Sequence, residues 1–106
     1  MRLTMLSVLG VVSLSLSTVA LGMSEGERKF NAKCAACHGK DGKGQTTMGK
    51  KLKVKDLTDG AIAKYTDDQL VKKIEVGDPA KKFPAFKGKL SEDEIRSIAV
   101  YLRTLK

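Results

Sequence analysis

Cys34-Ala35-Ala36-Cys37-His38 gathers both cysteines and the one histidine of a 106-residue chain into five consecutive positions. Two thiols two residues apart can each add to a vinyl group of one porphyrin. The histidine that follows then lies beneath the ring with a nitrogen free for iron, and C-x-x-C-H is the spacing of covalent haem attachment. Other chemistries draw on the same residues. A structural disulfide or a thioredoxin-type redox pair needs only the two cysteines. The redox pair expects a βαβ setting that this sequence lacks, and neither alternative uses His38. A zinc ion would consume all three Cys and His side chains and still want a further ligand.

Helix punctuation surrounds the motif. Ser24 with Glu27, Thr66 with Gln69 and Ser91 with Glu94 each set a hydroxyl three residues ahead of a side-chain acceptor. This is the capping-box pattern, which satisfies backbone N–H groups at a helix start. It predicts one helix through Phe30 towards Cys34 and a second with Leu70, Val71 and Ile74 that stops near Gly77. A third carries Ile95, Ile98, Ala99, Leu102 and Leu105, and apolar spacings of three and four support all of them. Gly39, Gly42, Gly44 and Gly49 with Asp41 predict an irregular loop after the motif, and a short helical turn is expected over Gly60 to Lys64. No stretch alternates apolar and polar residues as a strand would. The fold class is therefore all-α: three main helices, with loops that must pack on something other than a sheet.

The first 22 residues read differently from the rest. Between Arg2 and Glu25 there is no charge, and leucines and valines dominate up to the small residues Ala20 and Gly22. A basic start, an apolar middle and small residues at the −3 and −1 positions predict an export signal, residues 1–22, cleaved before Met23. The alternative is an uncleaved anchor, since Leu3 to Gly22 is long enough to span a bilayer, although serines dilute it. Cleavage leaves a domain of residues 23–106 and removes only Arg2 among the charges, so the formal net charge falls from +8 to +7. Export and the spread of lysines along the whole chain argue against nucleic acid and for an acidic protein partner. Membrane contact is expected only if the segment stays attached, and a periplasmic monomer is the expected form. With no tryptophan and few aromatic residues, so short a domain needs added support from a disulfide, a metal or a cofactor.

The chain resembles the small bacterial class I c-type cytochromes with a single haem. The resemblance covers essentially all of residues 24 to 106. It rests on Gly26 and Phe30, Cys34-Ala35-Ala36-Cys37-His38-Gly39, Asp41-Gly42-Lys43-Gly44, Met48-Gly49-Lys50-Lys51-Leu52, Asp56-Leu57, Pro84-Ala85-Phe86 and Tyr101-Leu102. It implies the class I cytochrome c fold wrapped around one covalent haem c. Cys34 and Cys37 would be the attachment residues and His38 the axial iron ligand. It also implies crossed first and last helices, with Gly26 at the crossing and Phe30 and Tyr101 beside it.

The family pattern breaks at the sixth ligand. Related chains have Met-Pro-Ala-Phe or Met-Pro-Ala-Tyr before the last helix, and that methionine binds iron; this chain reads Phe83-Pro84-Ala85-Phe86. Phenylalanine has no lone pair for a metal. Met48 is the remaining candidate, although relatives also carry methionine there and its expected role is packing. Water, deprotonated Lys81 or Lys82, or a small gas are the other options. Thr47 also stands where many relatives have proline, in the loop whose carbonyl orients the proximal imidazole. The function implied is one-electron transfer with redox partner proteins, through lysines around the haem crevice. A gas-binding sensor is the alternative. No enzyme activity is expected, since a peroxidase-like reaction would want a distal acid or base and there is no second histidine.

Overall fold

The computed structural model describes residues 9–15 and 22–106. The remainder of the proposed 1–22 signal, including Ala20 ahead of the cleavage point, lies outside the described residues. Among the described residues five helices are formed: α1 Glu25–Lys33, α2 Ala35–His38, α3 Thr47–Leu52, α4 Asp67–Val76 and α5 Glu92–Leu102, with a 3₁₀ turn at Pro79–Lys81. Among the described residues there is no strand, only two isolated bridges, Asp78 with Phe83 and Lys87 with Leu90.

The helix starts follow their caps. Thr66 accepts from the Gln69 amide while the Gln69 side chain accepts from the Thr66 amide, and Ser91 and Glu94 do the same at α5. Ser24 makes only half of the expected box: it accepts from the Glu27 amide, but the return bond is not made. Glu27 instead lies near enough to Tyr101 to raise the phenol pKa, after burial of that ring. The expected helical turn at Gly60–Lys64 is a run of turns closed by a Tyr65 amide to Ile62 carbonyl bond of 3.1 Å. Helix α5 also ends earlier than expected. The Thr104 hydroxyl takes the Tyr101 carbonyl, and Leu105 lies beyond the helix, half-buried against the core.

Helix α5 packs on α1 and α4, α2 packs on both α1 and α3, and these contacts set the architecture. A Cβ at Gly26 would run into the backbone of Ser97, so the close approach of α1 and α5 here requires glycine. Beside the crossing, the Phe30 and Tyr101 rings lie 5.3 Å apart at 58°. Phe30, Leu70, Val71, Ile74, Phe86, Leu90, Ile95, Ile98, Ala99 and Leu102 fill the core between α1, α4 and α5, with Ile62 reaching in from the loop. Burial of this apolar surface is the main stabilising term. The segment from Gly39 to Tyr65 stays outside that core except through Ile62, Leu57 and Tyr65.

Candidate functional site

The C-x-x-C-H segment forms the end of one helix and the whole of the next. Cys34 is the C-cap of α1, its amide bonded to the Phe30 carbonyl, and also the N-cap of α2. Cys37 and His38 finish that single turn, and Gly39 leaves it with φ of 78°. The sequence-predicted trio is thus brought together on one turn of helix beside the α1–α5 crossing. Both cysteines are free and half-buried. Burial, and secondarily Cys37, pushes the Cys34 thiol up to about 11. Burial lowers the His38 pKa, against a smaller opposing effect of the Lys55 backbone. The site thereby favours a neutral imidazole, the form with a lone pair to offer a metal.

His38 is held by its backbone. Its amide donates to the Cys34 carbonyl at 3.0 Å, and its carbonyl accepts from the Gly44 amide at 2.7 Å. The ring nitrogen Nδ1 is buried, and a hydrogen bond with the Lys55 backbone opposes the lowering of the His38 pKa. Two unjoined thiols and one neutral imidazole on a single turn are the donor set a covalently attached haem requires. Among the described residues no group of three or more His, Cys, Asp or Glu side chains is arranged to hold a metal ion by itself. A porphyrin that brings its own four nitrogens asks the protein only for axial ligands.

The two residues weighed for the sixth position lie in different parts of the fold. Met48 is on α3, which packs on α2, and is 45% exposed. Phe83 is half-buried against the α4–α5 core. Its amide donates to Asp78 at 3.0 Å, and its carbonyl accepts from the Asp78 amide at 2.8 Å. The Phe86 and Lys87 amides bond back to the Ile74 and Glu75 carbonyls. Lys81 and Lys82 stand exposed at the turn between, Lys82 with φ of 56°.

One part of the site escaped the sequence reading. Thr46 caps α3, which forms within the glycine-rich stretch expected to be loop, and its hydroxyl also reaches the Cys37 carbonyl at 2.7 Å. A search for Ser or Thr followed three residues later by Glu or Gln passes over Thr46, because position 49 is glycine. The glycine is needed, since a Cβ there would strike the Cys37 and Gly44 carbonyls.

Comparison with known proteins gives a consistent picture. A family model described as cytochrome c oxidase, cbb3-type, subunit III, matches residues 22–102. The chain is 46% identical over 77 residues to cytochrome c6 of Leptolyngbya boryana, covering 73% of this chain and 85% of that protein. It is 30% identical over 92 residues to cytochrome c6 of Thermosynechococcus vestitus, covering 87% and 78%. Among solved structures, the KustC0563 c-type cytochrome superposes with a TM-score of 0.68 at 29% identity, over 76% of this chain and 96% of that one.

Proposed function

The chain belongs to the cytochrome c family, and from that premise we propose that it is an exported one-electron carrier in which Cys34 and Cys37 hold a single haem c and His38 ligates its iron. The bound group supplies reversible one-electron exchange at iron. The chain's own residues do the rest. Cys34 and Cys37 fix the ring by two covalent links, His38 presents a neutral nitrogen, and the α1–α5 crossing holds the turn that carries all three. The observation that carries the reading is the gathering of two unjoined thiols and one imidazole on that single turn.

Other elements of the proposal rest on the charge and on the N-terminal segment. Residues 1–22 act as an export signal to the periplasm and 23–106 as the working domain. In support, Leu9, Val11, Val12 and Leu14 are each at least 79% exposed and add nothing to the core. No helix among the described residues is long and apolar enough to cross a membrane. The protein works as a monomer with acidic redox partners and has no catalytic role of its own, its one histidine being taken by iron. Residue 83 supplies no sixth ligand.

Expression with a c-type maturation system tests the reading. The denatured exported protein should have the mass of residues 23–106 plus one haem, and the native protein should give a reversible one-electron wave at an electrode. A mature mass without haem, or haem lost on denaturation, overturns the attachment.

A further inference from the structure

We infer that Leu105 is a positioning residue for His38, holding from beyond α5 the segment that bonds to the imidazole ring; the inference rests on the reading of His38 as the iron ligand. The buried ring is bonded to the Lys55 backbone, so its aim is only as steady as the segment that carries Lys55. That segment has little packing of its own. Between Gly39 and Tyr65 only Leu57, Ile62 and Tyr65 reach the apolar core. Much of its support converges on Gly42. The Gly42 amide donates to the carbonyl of Gly39, the residue after His38, at 3.0 Å, and the Gly42 carbonyl accepts the amide of Leu57, two residues after Lys55, at 2.8 Å. Gly42 thus joins the run that leaves His38 to the run that leaves Lys55.

Leu105 covers that junction. A Cβ added at Gly42 would stand 2.8 Å from Leu105 Cδ1, with Cδ2 and Cγ at 3.6 Å, so the leucine side chain lies over the bare α-carbon. Gly44 makes a second junction, its amide on the His38 carbonyl at 2.7 Å and its α-carbon against Val54. That one is internal to the segment, whereas Gly42 is held from outside it. The end of α5 makes the contact possible. The Thr104 hydroxyl takes the Tyr101 carbonyl at 2.7 Å, and the Leu105 amide bonds to Leu102 at 3.3 Å. Two residues earlier, Arg103 Nη2 donates to the Tyr65 carbonyl at 2.8 Å. The residues after α5 therefore tie the segment at both ends, Leu105 at the end that bonds to His38.

The test compares Leu105→Ala, Leu105→Met and Leu90→Ala in the haem-loaded protein, reduced and under carbon monoxide so that the iron is diamagnetic. Proton NMR follows solvent exchange at two places. The His38 Nδ1 proton reports opening of the bond to Lys55, and the amide of buried Ile98 reports opening of the core. Leu105→Ala should speed exchange of the ring proton, relative to the Ile98 amide, by roughly tenfold through loss of the contact over Gly42. Leu105→Met can still cover Gly42 and should return the ratio to that of the parent. Leu90→Ala empties a buried site elsewhere in the core and should leave the ratio unchanged. A parent-like ratio in Leu105→Ala overturns the inference. So does an equal shift of the ratio in Leu90→Ala, which would mean general loosening, or a failure of methionine to restore. If the parent itself carries no covalent haem, the functional reading falls and takes this inference with it; a haem-loaded parent whose ratio is unmoved by Leu105→Ala removes the inference alone.

Discussion

Phe83 is the residue on which the proposal of an open iron site turns. A phenyl ring has no electron pair to give iron, and the paired bonds with Asp78 hold its backbone in a closed turn. Met48, the other methionine in play, sits on the helix that packs against the His38 turn, and a sulfur there would have to leave that helix to reach the opposite side of a ring lying on His38. The reduced protein is accordingly expected to bind carbon monoxide, and Phe83→Met to suppress it. If the new sulfur holds iron by only about 1.4 kcal/mol, an incoming ligand that must displace it binds about tenfold more weakly. The variant should also have a raised reduction potential, as His/Met ligation does. Titration of both proteins with carbon monoxide, followed in the Soret band, checks this. A parent that already shows the red charge-transfer band of methionine-bound ferric haem, and loses it in Met48→Ala, would sink the open-site reading. The contrast between these residues and Thr46 shows what a sequence discloses at this scale. Cys34, Cys37 and His38 are legible because their chemistry is written in adjacent positions. Thr46 is not, because its partner carbonyl is nine residues away and becomes a neighbour only after Gly49 lets α3 close on α2.

Helices α4 and α5 were legible in the sequence for the same kind of reason: each begins with two side chains that satisfy each other's backbone over four residues. Helix α3 was not, since Thr47-Met48-Gly49-Lys50-Lys51-Leu52 offers only Met48 and Leu52 as an apolar pair one turn apart and depends on Thr46 and on contact with α2. The early end of α5 was hidden too, because Leu105 keeps the apolar spacing after the helix has stopped. The α1–α5 contact yields a direct test. Gly26→Ala places a methyl group against the Ser97 backbone, and since backbone cannot swing aside the helices must separate, at a cost of about 1–3 kcal/mol; urea unfolding should show it as a lowered midpoint with little change in slope. A second test lies in the α5 cap. Glu94 is held down to about 2, first by its bond with Lys29 and then by the Ser91 amide and hydroxyl. A carboxyl whose folded pKa is depressed from 4.5 gives stability that is present in full above 4.5 and is lost as the pH falls towards 2. Glu94→Gln keeps an acceptor for the Ser91 amide but does not titrate. Its melting temperature should lie below the parent's at pH 7, and the gap should close on acidification through that window. Parallel curves from pH 7 to 2 would show that the Lys29 contact has no energetic weight.

Across the whole molecule, the ion pairs among the described residues engage acidic side chains of α4 and α5 and leave most lysines unpaired. Asp67 pairs with Arg103, Asp68 and Glu92 with Arg96, and Glu94 with Lys29, so four of the six acidic side chains of α4 and α5 are neutralised by neighbours. Lys29 is the only lysine in an ion pair among the described residues. Every other lysine there is exposed. Among the stretches that carry lysines with no acidic residue between them are Lys50, Lys51, Lys53 and Lys55 on and after α3, and Lys81, Lys82, Lys87 and Lys89 in the loop holding Phe83. The first packs beside the His38 turn and the second carries Phe83, and the docking reading proposed above puts both at the rim of the haem site. A positive rim speeds the approach of anions, and salt removes the effect as the screening length shrinks from about 30 Å at 0.01 M to about 10 Å at 0.1 M. Oxidation of the reduced protein by the trianion hexacyanoferrate(III) should therefore slow as salt rises over that range. Net charge alone would give the same trend, so location must be tested separately. Lys81→Glu with Lys82→Glu and Arg28→Glu with Lys106→Glu change the formal charge equally, the first pair in the Phe83 loop and the second in α1 and at the C-terminal residue. The first double variant should slow oxidation at low salt severalfold more than the second, and the two should converge at high salt. Equal slowing would mean that the anion responds to the charge of the whole protein and that the lysines around residue 83 form no docking face.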